Sequence, residues 1–380
     1  MNSQLWCIYF SIINLCVVIN TTAQVGPSTP KSTKETKNLF LNLTKMKAGN
    51  FIFGQHHASY EQQKGKNNVL TSKISSDCFL LVGDHPGLFG FALHKGKTKD
   101  YFKKQVQEIY RQGGIIEYSW HVNNPANGKD VKNTADNPVQ QIINKKGPAY
   151  KNWLDELDAI KIYFAALTDI KGNKIPILFR PFHENTGSWF WWGAEHCTAN
   201  EFKKLWRFTI DYLREDNTQN SKNIPGVNNM LIAYSPSKPS LNLNETEERY
   251  PGDNYVDIMG FDNYAADSES LLSLTINNLE WLAKFSSKHK KIAAITEIGI
   301  RKGIQNIAEE NWFMDAFLKP LLAEASFKDI AYVMTWKNTN PENYWVPLPN
   351  QNNSKSFVDF YKNEHTYFLG DLPNMYQKPN

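Results

Sequence analysis

From about residue 50 onward, short apolar runs alternate with stretches in which apolar positions recur at helical spacing. The runs are Phe51–Phe53, Cys78–Val82, Ile115–Tyr118, Ile177–Phe179, Leu231–Tyr234, Val256–Met259, Ile292–Thr296 and Ala331–Thr335. Most are rich in Ile, Leu, Val or Phe, as parallel strands buried on both faces should be. Between them, Trp153, Leu154, Leu157, Ile160, Phe164 and Leu167 mark one face of a helix. Comparable stretches cover 100–111, 199–215, 269–288 and 308–325, and Pro320 should kink or end the last of these. Eight strands with interposed helices is the count of an α/β chain folded as a (β/α)8 TIM barrel, whose functional side chains sit where strands end. A doubly wound open sheet is the competing arrangement. No GxGxxG or GxxxxGK loop follows an early strand, which argues against its nucleotide-binding forms. The polar stretch 123–150, rich in Pro, Gly and Asn, predicts a long loop on the substrate-binding face. Without a repeat or a strong linker, the chain reads as a single catalytic domain.

The ends of the chain add to this picture. Leu5–Val18 is the longest apolar stretch, and small residues at Thr21 and Ala23 fit a cleavage site, so residues 1–23 are expected to be a secretory signal. Export to a periplasm or the outside follows. Cys16 raises lipid anchoring, but Leu15 stands where a small residue should precede a lipidated cysteine. Residues 24–38, rich in Pro, Ser, Thr and Lys, read as a flexible leader, and 39–370 as the catalytic domain. With the signal removed, Cys78 and Cys197 remain, and no CxxC spacing points to zinc; two buried thiols are expected.

Composition narrows the function. Across 380 residues, 42 Lys+Arg against 38 Asp+Glu leave a net charge of +4, too even for a nucleic-acid binder. Apolar residues at 41% and charged residues at 21% suit a packed globular core. No internal apolar run reaches the roughly 18 residues that a membrane span needs.

Candidate chemistry clusters after the strands. The fourth is followed by Arg180-Pro181-Phe182-His183-Glu184-Asn185-Thr186-Gly187-Ser188-Trp189-Phe190-Trp191-Trp192-Gly193, and the seventh by Glu297-Ile298-Gly299. Two glutamates from separate strand ends can face one another across a barrel mouth. Glycoside hydrolysis requires such a pair, one carboxyl to protonate the leaving oxygen and another to attack or to activate water. Flat rings stack on the C–H faces of sugars, and crowded apolar surroundings raise the pKa of an acid. A run of four bulky residues, Trp189 to Trp192, is not expected to point wholly inward. His183-Glu184 does not open an HExxH zinc site, because Gly187 occupies the second histidine position. Ser119-Trp120-His121 ends the third strand, Asp262-Asn263-Tyr264 the sixth and Trp336-Lys337 the eighth. His56-His57 and Asp84-His85 are expected at the first and second strand ends. No subset has a metal spacing, so neither a metal nor another cofactor is expected.

These motifs resemble glycoside hydrolase family 26: RPFHENTGSWFWWG over 180–193, TEIG at Thr296–Gly299, His121 in SWHVNNP, Tyr264 in GFDNY and Trp336 in TWKN. The resemblance runs from about Leu39 to Tyr361. It implies a (β/α)8 barrel and a retaining, double-displacement mechanism, most often on β-1,4-mannan or galactomannan, whether endo-acting or releasing mannobiose. A few members act on β-1,3-xylan or mixed-linkage glucan, and a non-catalytic carbohydrate binder is the remaining alternative. Carried over by position, the resemblance makes Glu184 the general acid/base and Glu297 the nucleophile. His183 would orient the acid, His121 would contact the sugar at the cleaved bond, and Tyr264 would hold the nucleophile. Trp189 would stack on the leaving-group side, Trp336 would floor the cleaved sugar's subsite, and Arg180 would support both carboxylates from behind. Lys337 departs from the arginine expected in some mannanases. The expected partners are mannan and its oligosaccharides, with no nucleic acid and a monomeric chain.

Overall fold

The computed structural model describes residues 26–379 except 47, 69, 94–99 and 217–222. Eight parallel strands form the barrel: β1 (Phe51–His56), β2 (Leu88–Leu93), β3 (Ile115–Trp120), β4 (Ile177–Arg180), β5 (Met230–Tyr234), β6 (Ile258–Met259), β7 (Ile292–Ile295) and β8 (Ile330–Thr335). Each pairs with the next, and β8 closes on β1 through Ile52 with Tyr332 and Gln55 with Thr335. Beyond β6 and β7, the short strands Asp262–Ala265 and Glu297–Ile300 pair in parallel, setting Asp262 beside Glu297. The signal expected over 1–23 lies outside the described residues. Among the described residues, no helix is long and apolar enough to cross a membrane.

Helices α1 (Lys34–Lys45), α2 (Asp77–Val82), α3 (Lys103–Arg111), α4 (Pro138–Ile143), α5 (Gly147–Ala166), α6 (Ala199–Arg214), α7 (Leu243–Glu248), α8 (Ser268–His289), α9 (Lys319–Ala323) and α10 (Ser354–Tyr361) complete the chain. Helix α6 begins with a full capping box, Thr198 accepting from Glu201 N and the Glu201 carboxylate accepting from Thr198 N. Its buried stripe of Phe202, Leu205, Trp206, Ile210 and Leu213 packs on the barrel wall.

Several expectations are corrected. Cys78–Val82 is not the second strand but lies in α2, which is capped by Ser76 Oγ and ended by Gly83 at φ 77°. An apolar run this short cannot reveal its period, and Phe79 and Leu80 remain 46% and 45% exposed, unlike a strand buried on both faces. Asp84-His85 therefore precedes β2 and lies away from the barrel mouth. The long loop after β3 ends at Asn137, because Pro138 suits the first turn of a helix, where a backbone N–H is dispensable. Pro320 occupies the first turn of α9 for the same reason, directly after a π-helical turn at Trp312–Leu318.

The leader expected over 24–38 is structured in its described part. Thr29 is buried, Arg214 Nη2 donates to Ser28 Oγ at 2.8 Å, and Thr33 Oγ1 caps α1 by accepting from Thr36 N. Leu39, Phe40 and Leu43 of α1 close the N-terminal end of the barrel, where each buried side chain contributes about 1.5–3 kcal/mol. Met375 and Tyr376 join the same cluster, so packing also extends past residue 370. Cys78 and Cys197 are free and buried.

Candidate active site

Strand alternation carries the barrel interior from an apolar floor to a polar mouth. Ile52, Ile115, Leu178, Leu231, Ile258 and Ala294 pack together inside the barrel, while the intervening Phe53, Ile116, Phe179, Ile232, Met259 and Ile295 face the helices. Further up at the same parity stand His56, Glu117, Arg180, Ser235, Asp262 and Thr296, all buried. Gly90 makes room for one of them: a Cβ there would come within 2.5 Å of His56 Nδ1.

Arg180 binds three carboxylates. Its Nε donates to Glu117 Oε1 and its Nη1 to Asp262 Oδ2, both at 2.8 Å, and its Nη2 donates to Glu297 Oε1. Tyr264 Oη donates to the other oxygen, Glu297 Oε2, at 2.9 Å. Gly299, one turn of the pleat beyond, allows Tyr264 and Trp345 to close in; a Cβ would meet Trp345 Nε1 at 2.4 Å. Burial pushes the Glu297 carboxyl above its usual range, Arg180 pulls it down, and Asp262 and Glu184 push it up again.

Glu184 stands on a turn held in an unusual conformation. Both it and Phe182 have left-handed backbones, at φ 55° and 50°, a conformation that costs a non-glycine residue about 1–3 kcal/mol. The turn is fixed by Glu184 N donating to Ser235 O at 2.7 Å and Trp192 Nε1 donating to His183 O at 2.9 Å. Trp189 Nε1 donates to Glu184 Oε2 at 2.6 Å. Burial and the Asp262 charge push the Glu184 carboxyl up to about 7, against the indole N–H and Arg180. Two neighbouring carboxyls raise each other, and the one with a guanidinium and a phenol as donors is the one that ionises. Glu297 thus has two donors that favour a charged form, and Glu184 has one.

Around them, His183 Nε2 lies 3.1 Å from His121 Nε2, and burial holds the His183 imidazole well below its ordinary pKa. The Trp336 ring lies 5.1 Å from the ring of His56 and 6.1 Å from that of His121. Lys337 turns away to Glu61, with Nζ 2.5 Å from an oxygen that also meets His57 Nδ1 at 3.2 Å. All eight residues singled out for the site, namely Arg180, Glu184, Glu297, His121, His183, Trp189, Tyr264 and Trp336, converge on this mouth. The aromatic run beside them does not point wholly inward, as expected: Trp189 is 40% exposed, whereas Phe190, Trp191 and Trp192 are buried. Trp191 Nε1 donates to Val122 O and Trp192 Nε1 to His183 O, and the two rings meet edge to face. Glu117 and Ser235 had been given no place in the site. The signal for them was available, a polar residue at inward parity within an apolar strand. No group of three potential metal ligands occurs among the described residues.

The sequence model of glycosyl hydrolase family 26 matches residues 28–361. The chain belongs to that family. Among family 26 structures, a β-mannanase from Bacteroides ovatus superposes with a TM-score of 0.79 at 30% identity, covering 91% of this chain and 98% of the other. A modular endo-β-1,4-mannanase from Cellulomonas fimi superposes with a TM-score of 0.82 at 26% identity, covering 93% of this chain and 79% of the other. A mannan endo-1,4-β-mannosidase of Bifidobacterium adolescentis is 32% identical over 371 residues, 89% of this chain. The alignment covers 35% of that relative, so the chain spans about a third of its length.

Proposed function

We propose that the chain is a retaining β-1,4-mannanase that hydrolyses mannan or galactomannan. The observation that supports it most is the unequal provision for the two carboxyls. Glu297 has a guanidinium and a phenol as donors, whereas Glu184 has one indole N–H. Family 26 relatives named as mannan endo-1,4-β-mannosidases supply the substrate class.

In this reading Glu184 protonates the glycosidic oxygen while Glu297 attacks the anomeric carbon, giving a covalent glycosyl-enzyme. The proton leaves Glu184 with the departing sugar. The resulting carboxylate then takes a proton from water, whose oxygen displaces Glu297 and returns both groups to their first states. Tyr264 and Arg180 aim the nucleophile, and His183 buttresses the acid's turn. His121 and Trp336 line the cleaved sugar's subsite, and Trp189 offers its exposed face to the leaving sugar. No cofactor takes part. Residues 1–23 act as an export signal, the enzyme meets polymer in a periplasm or outside the cell, and it works as a monomer.

A product time course on unbranched β-mannan and galactomannan, with β-1,3-xylan and mixed-linkage glucan as controls, tests the proposal. An early ladder of manno-oligosaccharides marks endo action, and mannobiose from the first time point marks a cleft walled at one end. Release from a control polymer alone would overturn the substrate.

A further inference from the structure

The interior beneath the nucleophile holds more negative than positive charge. Arg180 is the cation that touches Glu117, Asp262 and Glu297. His56 Nε2 also reaches Arg180, at 3.3 Å, but burial and the guanidinium hold its imidazole well below its ordinary pKa, so it adds no charge. Three ionised carboxylates around one guanidinium would leave two uncompensated negative charges in a region closed to water, which a protein interior avoids by taking up a proton.

Hydrogen bonding identifies where that proton sits. Asp262 is met by Ser235 Oγ at 2.6 Å, Thr296 Oγ1 at 2.7 Å and Arg180 Nη1 at 2.8 Å, so both its oxygens are supplied with donors. Glu297 also has a donor on each oxygen, from Arg180 and Tyr264. Among the described residues Glu117 has a single donor, Arg180 Nε on Oε1, and its buried Oε2 has no partner. An anionic oxygen with no donor is the costliest of the three to maintain. The hydroxyl of Tyr332, on β8, is likewise buried without a partner among the described residues and lies within electrostatic reach of Glu117. Arg180, Asp262 and Tyr332 are therefore the groups that Glu117 faces.

We propose that Glu117 is a neutral carboxylic acid, with Oε1 accepting from Arg180 and Oε2 carrying the proton, so that the charge of Arg180 is shared by Asp262 and Glu297 alone. Glu117 is then a positioning residue. It fixes the Nε edge of the guanidinium without adding an anion that would push a proton onto the nucleophile. Burial, which pushes the Glu117 carboxyl upward, acts in the same sense.

The consequence for catalysis rests on Glu297 being the nucleophile; the protonation state itself does not. Neutron diffraction from crystals of the unaltered protein at neutral pH should show a deuteron on Glu117 Oε2. A bare Oε2 overturns the proposal. In E117Q, which replaces a neutral acid by a neutral amide, the acid-side limb of the kcat/KM profile should stay within a few tenths of a pH unit of wild type. Removing an anion would instead lower the pKa of Glu297 and move that limb to lower pH. A downward shift of about one unit or more overturns the proposal. Because the neutron measurement needs no turnover, a protein inactive on mannan would refute the functional reading and leave Glu117 to be decided by the deuteron.

Discussion

The floor and the mouth of the barrel interior are built from the same strands at the same parity, yet they rest on opposite physics. On β4, Leu178 packs with its apolar neighbours while Arg180, two residues later, binds three carboxylates. On β5, Leu231 and Ala233 belong to the floor and Ser235 reaches Asp262. The floor gains its stability by exclusion of water, which tolerates changes of shape if volume is kept. The mouth depends on each donor finding its acceptor, and half-satisfied networks of that kind are costly. Stability and chemistry are thus stacked along one axis, a division that substitutions can test.

The largest effect should come from the mouth. Glu297→Ala should lower kcat/KM on mannan by at least about 10³-fold, and near-normal turnover would remove it from the nucleophile's place. Glu184→Ala should cost about 10²–10⁴-fold on mannan, yet spare the first step on an aryl mannoside with a good leaving group, which needs little protonation. A burst of aryl alcohol, followed by slow release of mannose, is the expected trace.

At the floor, Leu231→Ala should cost about 2–5 kcal/mol of stability, read by denaturant unfolding. It should leave the pH profile of the remaining activity in place. A displaced profile would mean that floor and mouth are not separable.

The smallest effect sharpens the assignment of Glu184. Activity needs its protonated form and should fall as pH rises through about 7. The Trp189 indole N–H favours the charged carboxylate, so Trp189→Phe should raise the pKa and move the basic limb to higher pH, by less than about one unit. A downward shift would contradict the hydrogen bond.

The strand count and most of the mouth were legible in the sequence because parallel barrel strands leave unbroken apolar runs with functional residues just beyond them. Glu297 and Trp336 follow such a run directly, and Glu184 and Tyr264 stand five positions beyond one. Cys78–Val82 was misplaced because a five-residue apolar segment carries no period, and the Ser76 cap and the left-handed Gly83 decide its form. Glu117 was passed over because it interrupts a run instead of following one. Its meaning depends on Arg180, a partner from the neighbouring strand that local pattern does not reveal. The buried Trp191 donates its indole N–H to Val122 O, 69 positions away in the chain, a partner that no local pattern announces.

Helix α1 and the last residues of the chain are tied together at the barrel floor. Asn38 Nδ2 donates to Tyr376 O at 2.9 Å, and Asn42 Nδ2 donates to Met375 O at 2.9 Å and to Gln377 O at 2.8 Å. A ribosome makes these partners more than 330 positions apart. These bonds can therefore form only after all eight barrel strands have been synthesised. The floor thus receives a late seal, at the end of the barrel opposite the mouth.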